Sequence, residues 1–281
     1  MNLIQAIIMG LIQGLTEFLP VSSSGHLVLT SNLYKFFTNK EFIHAGSEEV
    51  VFDIVLHLGT LLAVCIFFKE DITKITKAFF SAIVKKDFSN TDAKLALFIL
   101  LGTVFTIFVA FPLKMVSESL MNLPHIVGLF LIITGFILYM GEWASEKRKA
   151  KTDKIDLKTA IIIGIAQGIA SIPGISRSGS TISTGIFLGL DRVTCARYSF
   201  LLSLPIIVGA SIFYPILEVD FNEFLNFSWI SFLVGFIVSF ISGYLCIKYF
   251  LKFLGKHSMK IFAYYCWVAG VFMFVFFKFF A

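Results

Sequence analysis

Residues 10–25 read GLIQGLTEFLPVSSSG, and residues 164–179 read GIAQGIASIPGISRSG. Each stretch is an apolar helical segment that runs into a proline and a group of Ser and Gly residues, which break a helix. Apolar sequence flanks both breaks, so the pattern predicts two short helices joined by a polar turn over residues 3–37 and again over residues 159–190. A broken apolar helix repeated in both halves of a chain is typical of membrane proteins built from internal repeats.

The composition indicates that the whole chain lies in a membrane. Of its 281 residues, 57% are hydrophobic and 15% are charged, and the 34 phenylalanines outnumber the 23 Lys and Arg residues. A soluble domain is about 45–50% apolar and about 25% charged. These values exclude a disordered chain, a coiled coil and an ordinary soluble enzyme. Apolar runs close to the length of a spanning helix also argue against an outer-membrane barrel, whose strands alternate over about ten residues.

Segments with the length and hydrophobicity of spanning helices cover residues 50–68, 95–112, 126–143, 198–217, 229–250 and 261–280. By the positive-inside rule, the lysine-rich loops 69–94, 144–158 and 248–260 face the cytoplasm, and the acid-rich loops 38–49 and 218–228 face outward. The net charge of +5 therefore indicates orientation, and we expect no nucleic-acid partner.

This assignment of loops to the two sides requires the region 159–190 to enter and leave on the cytoplasmic side, so we predict a re-entrant hairpin there. The region 3–37 is either a hairpin that dips in from outside or two short crossings, and its short arms favour the hairpin. Each hairpin heads a unit with three spans, residues 1–143 and residues 159–281. Because three is odd, the second unit is inverted. We predict an all-α polytopic membrane protein with an inverted-topology repeat, six spanning helices and two re-entrant hairpins that meet near the midplane.

The second break has the chemistry of an anion site. Ionisable residues at membrane depth are costly and indicate function, and Arg177 is a forked, permanently charged donor that fits phosphate oxygens. The helix that follows the break offers its N-terminus to the same anion. The expected phosphate ligands beside Arg177 are Ser22, Ser24, Gly174, Ser176, Ser178 and Thr181. In the alternative interpretations, Arg177 only bridges to Glu17, and the Gly/Ser-rich stretches serve helix packing alone.

The first break has the residue types of a catalytic centre. Gln13 and Glu17 are four residues apart and share one helix face, so their oxygens could hold Mg²⁺ or Ca²⁺ together with a substrate phosphate. Ser23 and His26 are three residues apart, and a serine hydroxyl near an imidazole is the minimal arrangement of a nucleophile and its base. The imidazole could itself attack phosphorus, so the sequence leaves the nucleophile open between Ser23 and His26.

Two further sets of polar residues have weaker signals. Asp53 and His57 are four residues apart on the span after the first outer loop. They are either a second acid–base pair, or a support for the residues of the first break, or a solvated entry to the helix. Glu142 and Trp143 end a span, and we expect them to anchor it at the membrane interface.

Longer motifs carry a resemblance to a known family. Residues 13–26 read QGLTEFLPVSSSGH and residues 173–181 read PGISRSGST. Two further stretches are FDIVLHLG at 52–59 and FLLSLPIIVGA at 200–210. These motifs strongly resemble the undecaprenyl-diphosphate phosphatase family, also called the bacitracin-resistance protein family, and the resemblance covers essentially the whole chain.

The resemblance implies a metal-dependent phosphatase that acts on a polyprenyl diphosphate lipid, undecaprenyl diphosphate, and returns undecaprenyl phosphate to cell-wall synthesis. It implies a multi-pass protein of the bacterial plasma membrane, and the loop charges predict a site open to the outer face. It implies catalytic roles for Glu17, Ser23, His26 and Arg177, with metal binding by Glu17 and by Gln13, where family members also carry Glu. Self-association into a homo-oligomer is left open. The rival function is an inverted-repeat transporter or flippase for a phosphorylated lipid.

Overall fold

The structure is a computed structural model that describes residues 2–39, 47–148, 151–218 and 227–280. These residues form helices and no β-sheet, apart from one isolated bridge between Thr152 and Leu190. The helices are α1 (Leu3–Phe18), α2 (Ser23–Thr38), α3 (Ser47–Phe67), α4 (Lys69–Lys85), α5 (Thr91–Met121), α6 (Pro124–Lys147), α7 (Leu157–Ile169), α8 (Arg177–Leu188), α9 (Arg192–Glu218), α10 (Trp229–Leu254) and α11 (Lys260–Phe279). The predicted all-α fold is confirmed.

Six of the described helices are long and apolar enough to cross a bilayer, namely α3, α5, α6, α9, α10 and α11. Their side chains are distributed as lipid requires. On α5, Phe108 and Phe111 are 80% and 78% exposed, whereas Thr103 and Thr106 are buried. Lipid tails accept the outward apolar side chains, and polar groups find their partners inside the protein. These properties confirm a multi-pass membrane protein.

Two helices differ from the predicted boundaries. α5 continues through Pro112 to Met121, into a stretch expected to be a loop, because helices in a membrane tolerate proline. The basic loop expected over 69–94 contains α4, which buries Ile75 and Ala82, seven residues apart on one face. That loop is therefore an amphipathic helix rather than an irregular connection.

Both predicted breaks are present in the structure. α1 ends at Phe18 and α2 begins at Ser23, while α7 ends at Ile169 and α8 begins at Arg177. At about 1.5 Å per residue, α1 is roughly 24 Å long and α7 roughly 20 Å, which is less than the thickness of the hydrocarbon core. The re-entrant course of these helices and the inversion of the second unit stay predictions.

The assignment of sides also stays a prediction. Residues 40–46 and 219–226, which make up most of the two acid-rich loops, lie outside the described residues, as do residues 149–150 of a basic loop.

Glycines at equivalent places in the two repeated stretches pack against different long helices. A Cβ added to Gly14 would lie 1.9 Å from the hydroxyl oxygen of Ser242 on α10. A Cβ added to Gly168 would lie 2.8 Å from the carbonyl oxygen of Thr106 on α5. Such close contact through small residues is how helices associate in lipid. Packing therefore accounts for these glycines, but it does not account for the charged residues at the breaks.

Glu142 is buried in the protein and not exposed as an interface anchor would be, whereas Trp143 beside it is 41% exposed and its role as an anchor stays a prediction. The Glu142 side chain is fully buried, and Arg192 donates to both carboxylate oxygens, from Nε at 2.8 Å and from Nη2 at 2.5 Å. The backbone N–H of Met259 donates to the same carboxylate at 3.0 Å. A buried charge is stable when it is paired and hydrogen-bonded. This pairing could not be predicted from the sequence, because the starts of α9 and α11 meet the end of α6 only in the folded protein.

Candidate active site

The first break is a tight turn that ends in a serine cap. Ser22 has a φ of 68°, in the left-handed region, and it is the N-cap of α2. Its hydroxyl accepts from the backbone N–H of Gly25 at 3.3 Å and lies 3.3 Å from the hydroxyl of Ser24. Serine is favoured at this position because it satisfies a free N–H of the first helical turn. The turn places Ser23 at the start of α2, facing the end of α1.

The second break has the same cap and a turn that only glycine fits. Ser176 is the N-cap of α8, and its hydroxyl accepts from the backbone N–H of Gly179 at 3.0 Å. Gly174 has a φ of +91°, and a Cβ there would lie 2.3 Å from the carbonyl oxygen of Val127. Thr134 of α6 holds the turn, since its hydroxyl donates to the carbonyl of Gly174 at 2.9 Å and accepts from the N–H of Ser176 at 3.0 Å.

The fold brings the two breaks into contact. Arg177, at the start of α8, donates from Nη2 to Oε1 of Glu17, at the end of α1, over 2.7 Å. The hydroxyl of Ser178 donates to the carbonyl of Leu19 at 3.0 Å. The ring of Phe18 packs edge-on against that of Phe200 on α9. Residues that lie about 160 positions apart in the sequence therefore form one polar cluster.

The carboxylate of Glu17 is the centre of this cluster. It is only 8% exposed, and its other oxygen, Oε2, accepts from the hydroxyl of Ser23 at 2.8 Å and from Nε2 of Gln13 at 3.0 Å. Nε2 of His57 lies 3.8 Å from the same oxygen. Arg177 supplies the opposite charge that a buried carboxylate requires. One ionised group thus faces the predicted phosphate ligand on one side and the predicted nucleophile on the other.

Ser23 and His26 do not bind each other in this structure. The hydroxyl of Ser23 is directed to Glu17, and both ring nitrogens of His26 have other partners. Nδ1 donates to the carbonyl of Ser22 at 2.8 Å, and Nε2 lies 2.6 Å from the hydroxyl of Tyr265 on α11. The ring turns back to the carbonyl four residues earlier, which carries it away from Ser23. The carboxylate is therefore the proton acceptor in contact with the Ser23 hydroxyl.

The predicted phosphate ligands divide into two groups. Thr181 is fully buried, and its hydroxyl donates to the carbonyl of Arg177 at 2.9 Å and lies 2.6 Å from the hydroxyl of Ser199. It supports α8 and the backbone of Arg177 rather than facing a ligand. Ser176 and Ser178 lie at the helix N-terminus beside Arg177, but both are 1% exposed and their hydroxyls bind within the protein. Their predicted role as phosphate ligands stays a prediction.

His57 belongs to the site, in line with the alternative that it supports the residues of the first break. It faces Glu17, and its Nδ1 donates to the backbone carbonyl of Asp53 at 2.8 Å, which orients the ring. This arrangement agrees with a support for the first break and not with a solvated entry to the helix.

The oxygens of Gln13 and Glu17 fit a hard cation whose coordination a substrate completes. Oε1 of Gln13 is buried without a hydrogen-bond partner among the described residues, although buried amide oxygens are normally satisfied. The described residues contain no group of three His, Cys, Asp or Glu side chains that could hold a metal ion by itself. Mg²⁺ commonly binds through one or two carboxylates plus substrate phosphates, and this pair of residues matches that pattern.

Three residues of the site have no motif signal. Tyr265 lies on the last helix, 239 positions from His26, and Ser199 lies on α9. Thr134 is the one that could have been found, because a hydroxyl inside the apolar run of α6 is a polar group that needs a partner.

Comparison with known proteins agrees with this geometry. The family model described as "Bacitracin resistance protein BacA" matches residues 6–272. An undecaprenyl-diphosphatase of Methanobrevibacter smithii is 37% identical, with 98% of each chain covered. Undecaprenyl-diphosphatases of Methanosphaera stadtmanae and Carboxydothermus hydrogenoformans are 40% and 42% identical, with 96% of each chain covered. The match extends through both helix breaks and from α3 into α11, and the chain therefore belongs to the BacA bacitracin-resistance protein family.

Proposed function

We propose that the protein is an integral-membrane phosphatase that hydrolyses undecaprenyl diphosphate to undecaprenyl phosphate and inorganic phosphate, and so recycles the lipid carrier for cell-wall synthesis. The names of its relatives support this function. The observation that carries it is the cluster of Arg177, Glu17 and Ser23, in which an anion ligand, a base and a hydroxyl nucleophile meet within hydrogen-bond distance.

Phosphate binding starts from the Arg177–Glu17 pair. The diphosphate competes with Glu17 for the guanidinium, which fits phosphate oxygens in a bidentate manner. The N-terminus of α8 adds donors, and Ser22 and Ser24 add them from the first break. The hydroxyls of Ser176 and Ser178 add theirs when they turn from their present partners, Leu19 and each other, to the phosphate. The apolar prenyl chain stays in lipid between the spans.

Phosphoryl transfer then uses the hydrogen bond between Ser23 and Glu17. The Ser23 oxygen forms a bond to the terminal phosphorus, the anhydride bond breaks, and undecaprenyl phosphate leaves with the bridging oxygen. The proton of Ser23 passes to the carboxylate that accepts its hydrogen bond at 2.8 Å. Water then attacks the phosphoserine and releases inorganic phosphate. In the first alternative, His26 instead of Glu17 takes the proton of Ser23. In the second, Nε2 of His26 attacks phosphorus and Ser23 positions the substrate.

A divalent cation, Mg²⁺ or Ca²⁺, would be held by Glu17 and Gln13 and would neutralise charge on the phosphate. The loop charges support a site in the bacterial plasma membrane that opens to the outer face.

Arg177→Ala tests the phosphate clamp. Purified variant protein in detergent should release no measurable inorganic phosphate from a prenyl diphosphate. Arg197→Ala is the matched control, because Arg197 also donates to a carboxylate, Asp71, at 2.7 Å but lies outside the cluster. Turnover by Arg177→Ala close to that of the control would contradict the assignment. A transporter or flippase would release no phosphate in any of these proteins.

Trapping identifies the nucleophile. Enzyme quenched during turnover of substrate labelled in its terminal phosphate should carry the label on Ser23. An acid-stable phosphoenzyme supports Ser23, and an acid-labile one supports His26.

A further inference from the structure

Tyr265 is a residue of the site to which the mechanism above gives no role. It lies on α11, and its hydroxyl is 2.6 Å from Nε2 of His26, the shortest contact made by that ring. The two rings are nearly parallel, at an angle of 8°. The adjacent Cys266 lies 3.7 Å from the carbonyl oxygen of Pro20 in the first break. Two consecutive residues of α11 therefore contact the first break and the histidine that follows it.

The hydrogen-bond partners determine which ring nitrogen of His26 carries the hydrogen. A carbonyl oxygen can only accept, so Nδ1 must carry a hydrogen in order to bind the carbonyl of Ser22 at 2.8 Å. In the neutral ring, Nε2 then has a lone pair, and the Tyr265 hydroxyl donates to it. The tautomer is thus set from both ends of the ring.

We propose that Tyr265 is a positioning residue that holds His26 with its hydrogen on Nδ1 and its lone pair on Nε2. Both roles considered for His26, base and nucleophile, use a lone pair on Nε2, because Nδ1 is committed to the backbone. The inference deepens the proposed function and rests on it, since the tautomer of His26 affects turnover only if the site transfers phosphate.

The orientation of His26 does not depend on its neighbour Ser23. The Ser23 hydroxyl donates to Glu17, so it offers the imidazole nothing to bind before substrate arrives. His26 is 9% exposed, and a buried ring nitrogen without a partner is costly. Without the Tyr265 hydroxyl, the ring would be free to rotate or to change tautomer, and only part of the molecules would present the lone pair correctly.

The test compares Tyr265→Phe with Tyr264→Phe in the full-length protein in detergent. The two tyrosines are adjacent and similarly exposed, at 46% and 52%, but Tyr264 packs against Trp267 instead of His26. The protein is labelled with nitrogen-15 at its five histidines, and the His26 resonances are assigned by their loss in His26→Gln. Their nitrogen chemical shifts give the tautomer directly. Wild-type protein should show hydrogen on Nδ1 and none on Nε2. Tyr265→Phe should move the Nε2 resonance, and Tyr264→Phe should leave it in place.

Kinetics give the second readout. Proton transfer by a positioned group is worth about 100- to 10,000-fold in rate. Where His26 acts as base or nucleophile, loss of its orienting partner should forfeit a part of this, about tenfold in kcat, whereas an unchanged kcat would show that turnover does not use His26 in either role. KM should stay within about twofold, because Tyr265 is placed against His26 and not among the phosphate ligands. A change in KM alone, or equal effects of the two phenylalanine variants, would overturn the proposal.

The NMR result separates this proposal from the proposed function. Hydrogen on Nε2 in wild-type protein, or an unchanged Nε2 resonance in Tyr265→Phe, overturns the role of Tyr265 whatever the activity. If the resonance shifts in Tyr265→Phe but the wild-type protein releases no phosphate, the assignment of the Tyr265–His26 hydrogen bond stands. Its proposed effect on kcat is then overturned. If Tyr265→Phe does not fold, 3-fluorotyrosine can replace tyrosine instead. Because it is a stronger donor, it should shift the Nε2 resonance in the direction opposite to that expected from loss of the hydrogen bond.

Discussion

The carboxylate of Glu17 is the group on which the proposed chemistry depends most directly, so Glu17→Gln is the most informative substitution. The amide has the shape of the carboxylate without its charge. Its oxygen can still accept from Arg177, in place of the 2.7 Å ion pair. Its NH₂ group would then face Ser23, so the serine hydroxyl would have to accept a hydrogen bond where it now donates one. Ser23 would lose its proton acceptor while the surrounding fold is preserved.

The expected effect follows from the role of that acceptor. Removing a general base lowers the rate by about 100- to 10,000-fold, which corresponds to about 3–5 kcal/mol of transition-state stabilisation. The loss should appear in kcat, measured as phosphate release at saturating prenyl diphosphate in detergent. Glu17→Asp, which keeps the charge but shortens the side chain, should fall between Glu17→Gln and wild type.

Glu142→Gln is the matched control, because Glu142 is also a buried carboxylate that accepts from an arginine. Both glutamine variants should melt at lower temperature than wild type, since each replaces the ion pair of a buried arginine by a hydrogen bond to a neutral amide. Only Glu17→Gln should lose turnover per folded molecule. A Glu17→Gln enzyme with kcat within about threefold of wild type would refute the role of Glu17 as base.

Three further substitutions test the parts around this carboxylate. Gly174→Ala should disrupt the second break and abolish activity, because its Cβ would lie 2.3 Å from the carbonyl oxygen of Val127; Gly209→Ala, with no atom within 4 Å of the added Cβ, should behave as wild type. Thr134→Val removes both hydrogen bonds that hold the turn of the second break. Denaturation in detergent should show a free energy of unfolding lower by about 1–3 kcal/mol, because two buried backbone groups are left unpaired, and KM should rise. A chelator should lower phosphate release, and Gln13→Glu should lower the Mg²⁺ concentration needed for half-maximal activity; full turnover after chelation would exclude the cation assigned to this site.

The sequence predicted the elements of the site better than their pairing. Length, hydropathy and the two Ser/Gly breaks depend on local physics, and the corresponding helices and turns are present. The serine caps at Ser22 and Ser176 were not predicted, because both residues were interpreted only as phosphate ligands. The breaks and the long helices were therefore predictable from short stretches of chain.

The partners of the charged residues were not predictable in the same way. Glu142 pairs with Arg192 across 50 positions, and His26 binds Tyr265 across 239. Such contacts depend on how helices pack, and a spacing of three or four residues says nothing about them. The expected pair of Ser23 and His26 is the clearest case, since local spacing permits that hydrogen bond and tertiary partners compete for both groups.

The two breaks carry out different tasks although they are built alike. Ser23 and Arg177 each follow the serine cap of their break, and both donate to the same carboxylate, Glu17. The residue of the second stretch that corresponds to Glu17 is Ser171, so the cluster contains one carboxylate and not two. Two facing carboxylates would repel each other and a phosphate, whereas one carboxylate can pair with Arg177 at rest and accept a proton from Ser23 during transfer. The substitution Ser171→Glu, which adds a second carboxylate at the second break, should therefore weaken phosphate binding by like-charge repulsion, measurable as a raised KM for prenyl diphosphate.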